Sequence, residues 1–137
     1  LLGVQLADIL SILRPFVQEC NWYVHDLNGS SEIALTELFP EDSKGIRIVT
    51  STEMLIEKVK EVNQFESGVF IAISNDKYIK WDDRELPETE EEEGLQHSSA
   101  KIEIRAFDFS YYEIYGTKVE LKEMIEQKLL LNLERGI

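Results

Sequence analysis

Cysteine is almost missing from this 137-residue chain, in which Cys20 stands alone. A single thiol excludes an intramolecular disulfide and any zinc site built from paired cysteines, and it fits a reducing, cytoplasmic compartment. Histidine is nearly as scarce: His25 and His97 are the two imidazoles. That excludes a histidine-rich metal cluster and leaves little for imidazole acid–base work. The seven glycines fall singly along the chain, whereas a phosphate-cradling loop needs them close together so that backbone amides can approach the ligand. No cofactor and no metal are therefore expected. Apolar runs stop after a few residues, far short of the roughly 20 that cross a bilayer, so no membrane partner is expected. Basic residues are also few, with 14 Lys and Arg against 27 Asp and Glu and a formal net charge of −13. Nucleic acid is a poor partner for such a chain, because phosphate binding needs a clustered basic face. Residues Leu1 to Asp8 lack the basic flank and cleavage pattern of a secretory signal. No initiator Met opens the chain, which leaves open what precedes Leu1.

What is present is the composition of a globular protein, 43% hydrophobic and 30% charged, at a length common for one domain. Residues 1–137 are read as a single globular domain. Charge is unevenly spread within it. From Asp82 to Glu93 eight acidic residues meet one basic residue, Arg84, so this stretch holds −7 of the −13. Runs of like charge are usually solvated, and a flexible acidic loop is expected over residues 82–99.

Leu2, Leu6, Ile9, Leu10, Leu13 and Val17 recur at helical spacing up to Pro15 and beyond, which predicts a first helix ending or bending near Arg14. Asn21 to Leu27 reads as a strand stopped by the turn signal Asn28-Gly29. Ser31 to Phe39 suits a strand or a short helix equally. Gly45 to Val49 alternates as a strand, and Thr50-Ser51-Thr52-Glu53 has the spacing of a capping box opening a second helix with Leu55, Ile56, Val59 and Val62 inward. Val69 to Ser74 and Lys77 to Trp81 suggest a hairpin across Asn75-Asp76. Lys101, Glu103 and Arg105 alternate with Ile102, Ile104 and Ala106, the mark of a strand with one wet and one buried face. The pattern breaks at Phe107 to Ser110, where a turn or bulge would return the chain through Tyr111 to Tyr115, and a further capping box at Thr117 to Glu120 predicts a last helix. Strands this close in sequence pair as antiparallel hairpins. The expected fold is α+β: a mainly antiparallel sheet of five or six strands with three amphipathic helices packed on one face.

Candidate chemistry is thin. A Cys20–His25 nucleophile and base is conceivable, but a buried thiol and a strand histidine sharing a face with Tyr23 and Leu27 is the simpler reading. Asp108 falls where the alternation breaks, among Phe107, Phe109, Tyr111 and Tyr112. It either caps a turn or, with His25 as a second pocket candidate, belongs to a site lined by Trp22, Trp81 or Tyr78. The acidic stretch with Asp82, Asp83 and Glu85 would steer a basic protein partner, and Trp81, Tyr78 or Tyr112 would anchor it if exposed.

The segments Asn21-Trp22-Tyr23-Val24, Leu38-Phe39-Pro40 and Ile104 to Ile114 resemble patterns in small uncharacterised bacterial proteins, some of toxin-immunity type. Such proteins bind a toxin tightly and carry no chemistry of their own. The resemblance implies a non-catalytic bacterial binding or inhibitor protein. The alternative is a small enzyme or ligand-binding domain with a site near Asp108 and its aromatic neighbours.

Overall fold

Leu6, Ile9, Leu10 and Leu13 form the buried stripe of helix α1, Gly3–Leu13, in the computed structural model, which describes residues 3–117. Pro15 cannot continue the helical ladder, and the chain tightens there into a 3-10 turn, Arg14–Phe16. Strand β1, Cys20–Ser31, follows. A four-residue helix α2, Leu35–Leu38, resolves the ambiguous stretch and sends Leu38 and Phe39 into the core. Strand β2, Arg47–Val49, leads into helix α3, Thr52–Lys60, and strand β3, Val62–Ser74. After an irregular segment, 75–99, come β4, Ala100–Phe107, and β5, Tyr111–Gly116. All pairings are antiparallel, in the order β2-β1-β3-β4-β5. The α+β class and the antiparallel sheet expected from the sequence hold.

Helices α1 and α3 pack on one sheet face, over Trp22, Val24, Phe70, Ala72, Ile102 and Ile104. Trp22 is wholly buried there. Its indole N–H donates to Thr52 Oγ1 at 2.9 Å, and the Thr52 hydroxyl donates to the Val17 carbonyl at 3.2 Å, tying β1 to the start of α3 and to the chain leaving the 3-10 turn. The two helices approach so closely that a Cβ on Gly3 would lie 1.9 Å from the Val59 carbonyl oxygen and 2.3 Å from that of Val62. The opposite sheet face holds a second apolar cluster of Tyr23, Ile46, Val69, Ile71, Ile73 and Ala100, against which Ile79, Trp81 and Leu95 of the irregular segment pack.

Several local expectations are corrected. Asn28-Gly29 is no turn: β1 runs through it, with register shifts against β3 between His25 and Asn28 and again at Gly29. Asp26 takes φ 51°, the bulge turns the following residues over, and Leu27 packs on the helix side instead of beside Tyr23 and His25. The cap of α3 is Ser51, whose hydroxyl accepts from Met54 N at 3.1 Å, one residue later than the capping box placed it. Val62 begins β3 instead of ending the helix. Lys77 to Trp81 forms no strand, because both edges of β3 are already taken, by β1 and β4. The break after Phe107 is a tight turn with Asp108 and Phe109 both at positive φ (43° and 60°), as in hairpin turns of the primed type. The helix expected from Thr117 onward lies outside the described residues, apart from Thr117 itself.

Replacing Gly3 by Ala should lower stability by about 1–3 kcal/mol, the usual cost of overpacking, read as a shift in the urea midpoint. An unchanged midpoint would show that α1 can move away from α3 freely.

Candidate functional site

Strand alternation puts Glu103 and Arg105 on the same sheet face, opposite the helices. A solvent face was expected there, but both side chains are completely buried, because segment 75–99 folds back over them. Arg105 Nε donates to Glu103 Oε2 at 2.6 Å. The rest of the guanidinium reaches into the acidic stretch: Nη1 donates to the Glu91 carbonyl at 2.8 Å, and Nη2 to the carbonyls of Glu92 and Gly94 at 3.0 and 2.6 Å. Its carbon lies 4.6 Å from the centre of the Tyr115 ring on β5. Glu103 Oε1 accepts from Gln96 N at 2.8 Å, and Oε2 accepts from Gln96 Nε2 at 2.9 Å. The Gln96 side-chain amide also exchanges two hydrogen bonds, each of 2.9 Å, with the backbone of Glu88. A buried ion pair is tolerable when additional hydrogen bonds support it, and here they come from residues 91–96, at the end of the acidic stretch and just beyond it.

A second tether lies at the bulge of β1. There the Gly68 N–H donates to Thr89 Oγ1 at 3.2 Å, while Thr89 N donates to Asp26 Oδ2 at 2.9 Å. Thr89 is buried although its neighbours Glu88 and Glu90 are exposed. The segment read as a flexible acidic loop has no helix or strand, and between Thr89 and Gln96 its backbone is hydrogen-bonded to Asp26, Glu103 and Arg105. The side chains of Asp82, Asp83, Glu85, Glu88 and Glu90 to Glu93 face water. Asp82 also closes a local turn, accepting from Arg84 N at 3.0 Å.

The remaining candidates separate in space. Cys20 faces the helix side and His25 the other face of β1, and five residues of extended strand set them roughly 16 Å apart along the chain, so they form no nucleophile–base pair. Burial pushes the Cys20 thiol pKa up, away from the reactive thiolate. Asp108 lines a cleft of ≈ 440 Å³ whose other carboxylates are Asp26, Glu66, Glu88 and Glu90. Phe107 is the aromatic residue in that lining, and His25, Trp22, Trp81 and Tyr78 do not take part. Among the described residues no group of three or more His, Cys, Asp or Glu is arranged to hold a metal ion. Tyr112 is half-buried against the helix-side core, and Tyr78 is 87% exposed.

Trp81 forms the centre of a ring cluster. His25, His97 and Tyr23 lie 4.5, 4.8 and 5.3 Å from it, centre to centre. His25 Nε2 and Trp81 Nε1 are buried without a hydrogen-bond partner among the described residues. Burial, with Arg47 and His97 adding like charge, lowers the His25 pKa from 6.5 to about 4, so the ring is neutral at pH 7. Beside Trp81 a second cleft, of ≈ 530 Å³, opens between β2 and residues 77–83. Sequence reasoning missed Asp26, Thr89, Gln96, Glu103 and Arg105. The opposite charges at Glu103 and Arg105, two apart on a strand, were a signal for pairing but not for burial. Among the described residues no helix is long and apolar enough to cross a membrane. Comparison with protein-family models, curated proteins and solved structures finds no match.

Two outcomes are expected. Arg105→Met leaves Glu103 charged, buried and unpaired, which should cost about 3–5 kcal/mol. Glu103→Met with Arg105→Met should recover part of that stability while residues 88–96 stay open to protease, since three carbonyls lose their donor. Urea titration and limited proteolysis read the two effects separately. For His25 the unfolded chain takes up the proton first. Its contribution is therefore complete above pH 6.5 and is lost as pH falls towards about 4, about 2 of a total of about 3 kcal/mol by pH 5. His25→Phe should flatten the stability profile between pH 6.5 and 5, and an unchanged slope would assign it to other groups.

Proposed function

We propose that this chain is a non-catalytic protein-binding domain, an immunity- or inhibitor-type protein of the bacterial cytoplasm whose acidic surface meets a basic partner. The observation that carries the reading is the anchored acidic stretch. Arg105 holds the carbonyls of Glu91, Glu92 and Gly94, and Asp26 holds Thr89, while the carboxylates between them stay in water. A partner that meets this surface need not order it first, which removes a cost that mobile loops impose on binding. Concentrated charge of one sign raises the association rate with a partner of opposite sign and orients the encounter.

The rival reading, a small enzyme or ligand-binding site at Asp108, has less support. Its cleft gathers carboxylates around one aromatic residue, and His25 is buried elsewhere, hydrogen-bonded to nothing at Nε2 among the described residues.

The test is an affinity capture from the source cell at low and high salt, with a parallel bait in which Glu88 and Glu90 to Glu93 are changed to Gln. A basic protein should be retained by the native bait and lost with salt or neutralisation, and its association rate should fall steeply as salt screens the charges. No specific partner at any salt, or a rate indifferent to salt, would overturn the proposal.

A further inference from the structure

Resting on that binding reading, we propose that the cleft beside Trp81 is the socket in which the partner is anchored, and that its occupant is one apolar or aromatic side chain carried next to a run of lysine or arginine. The volume, ≈ 530 Å³, lies in the range of ligand clefts and is ample for one aromatic side chain with its flanking backbone. Tyr23, Ile46 and Trp81 contribute apolar walls, and Ile48 and Tyr78 stand at the mouth, 40% and 87% exposed. The other lining residues include Asp42, Ser43, Lys44, Lys80 and Asp83, so the apolar walls form one patch of a mixed cleft. An apolar patch rimmed by polar groups is the surface form of a binding hot spot, where a desolvated anchor supplies most of the affinity.

The walls are preformed. The Trp81 ring packs against Tyr23, His25 and His97 and not into the space, and leaving that packing would cost three ring contacts. On the other side β2 is the edge strand of the sheet, paired with β1 and carrying Ile48 on its open face.

Charge fixes the sense of the occupant. In the lining Asp42 and Asp83 are offset by Lys44 and Lys80, so the cleft itself prefers neither sign of charge and its apolar walls are what an apolar side chain meets. Leaving Asp83 aside, the chain that leaves the cleft at Asp82 carries −6 through Glu93. A partner segment with its apolar residue in the socket lays its neighbours along this stretch, and only basic neighbours gain there.

The test uses three synthetic peptides with blocked ends: one phenylalanine followed by four lysines, the same with alanine for phenylalanine, and the same with glutamates for lysines. Binding is read from the backbone amide and indole N–H signals in nuclear magnetic resonance titrations. The phenylalanine–lysine peptide should shift Ile46, Ile48, Tyr78 and Trp81 and bind at least tenfold more tightly than the alanine peptide. Tyr78→Ala with Ile48→Ser, both exposed positions, should bring it to the alanine level with an unchanged circular dichroism spectrum. Equal binding of the phenylalanine and alanine peptides, both lost when Glu88 and Glu90 to Glu93 become Gln, would overturn the socket and leave the acidic steering intact. Equal binding of the glutamate peptide would overturn the charge assignment. No binding by any of the three would overturn the socket and weigh against the basic-partner reading as well.

Discussion

The Glu103–Arg105 pair is the constraint on which the second half of this fold depends. Two opposite charges taken out of water are costly, and the cost is offset only if additional hydrogen bonds support the two groups. Here the partners in those bonds are the carbonyls of Glu91, Glu92 and Gly94 and the amide groups of Gln96. The ion pair and the acidic stretch therefore require each other. The stretch roofs the pair, and the pair supplies the donors that hold a chain segment with a run of four consecutive glutamates, which has little reason to fold by itself.

The bulge of β1 serves the same end by other means. A regular ladder would occupy the Gly68 N–H within the sheet. The register shift after His25 and the left-handed Asp26 instead leave it to the Thr89 hydroxyl, while the Asp26 carboxylate takes the Thr89 N–H. The result is a sheet covered on both faces, by helices α1 and α3 on one side and by irregular chain on the other. That irregular cover carries the charge outward and leaves the cleft at the β2 edge open beside it.

Much of the framework was legible from local pattern. The stripe of α1, the stripe of α3, the strand character of Asn21 to Leu27, Val69 to Ser74 and Ile102 to Ala106, and the turn after Phe107 all follow from periodicity and backbone preference. The errors came where a local signal was overruled by a neighbour. Asn28-Gly29 is a turn signal in isolation, but β3 continues far enough, from Val62, to pair with the chain beyond it. Lys77 to Trp81 is strand-like in composition, but no free edge of β3 remains for it. Of the candidate site, Tyr78, Trp81, Tyr112 and the carboxylates were named from the sequence; Tyr78 and the carboxylates are exposed, whereas Trp81 is a wall packed on three rings and Tyr112 is half-buried against the helix-side core.

By itself the sequence determined the class of fold, the antiparallel pairing and the placing of −7 in one short stretch, because these depend on residue spacing and composition alone. Only the tertiary structure decided that Glu103 and Arg105 are buried, that Thr89 and Gln96 are tethers, and that a cleft opens beside Trp81. The physical reason is that alternation along a strand says which residues share a face, but not what lies over that face. Lys101, Glu103 and Arg105 spell a solvent face until a segment from elsewhere in the chain covers two of the three.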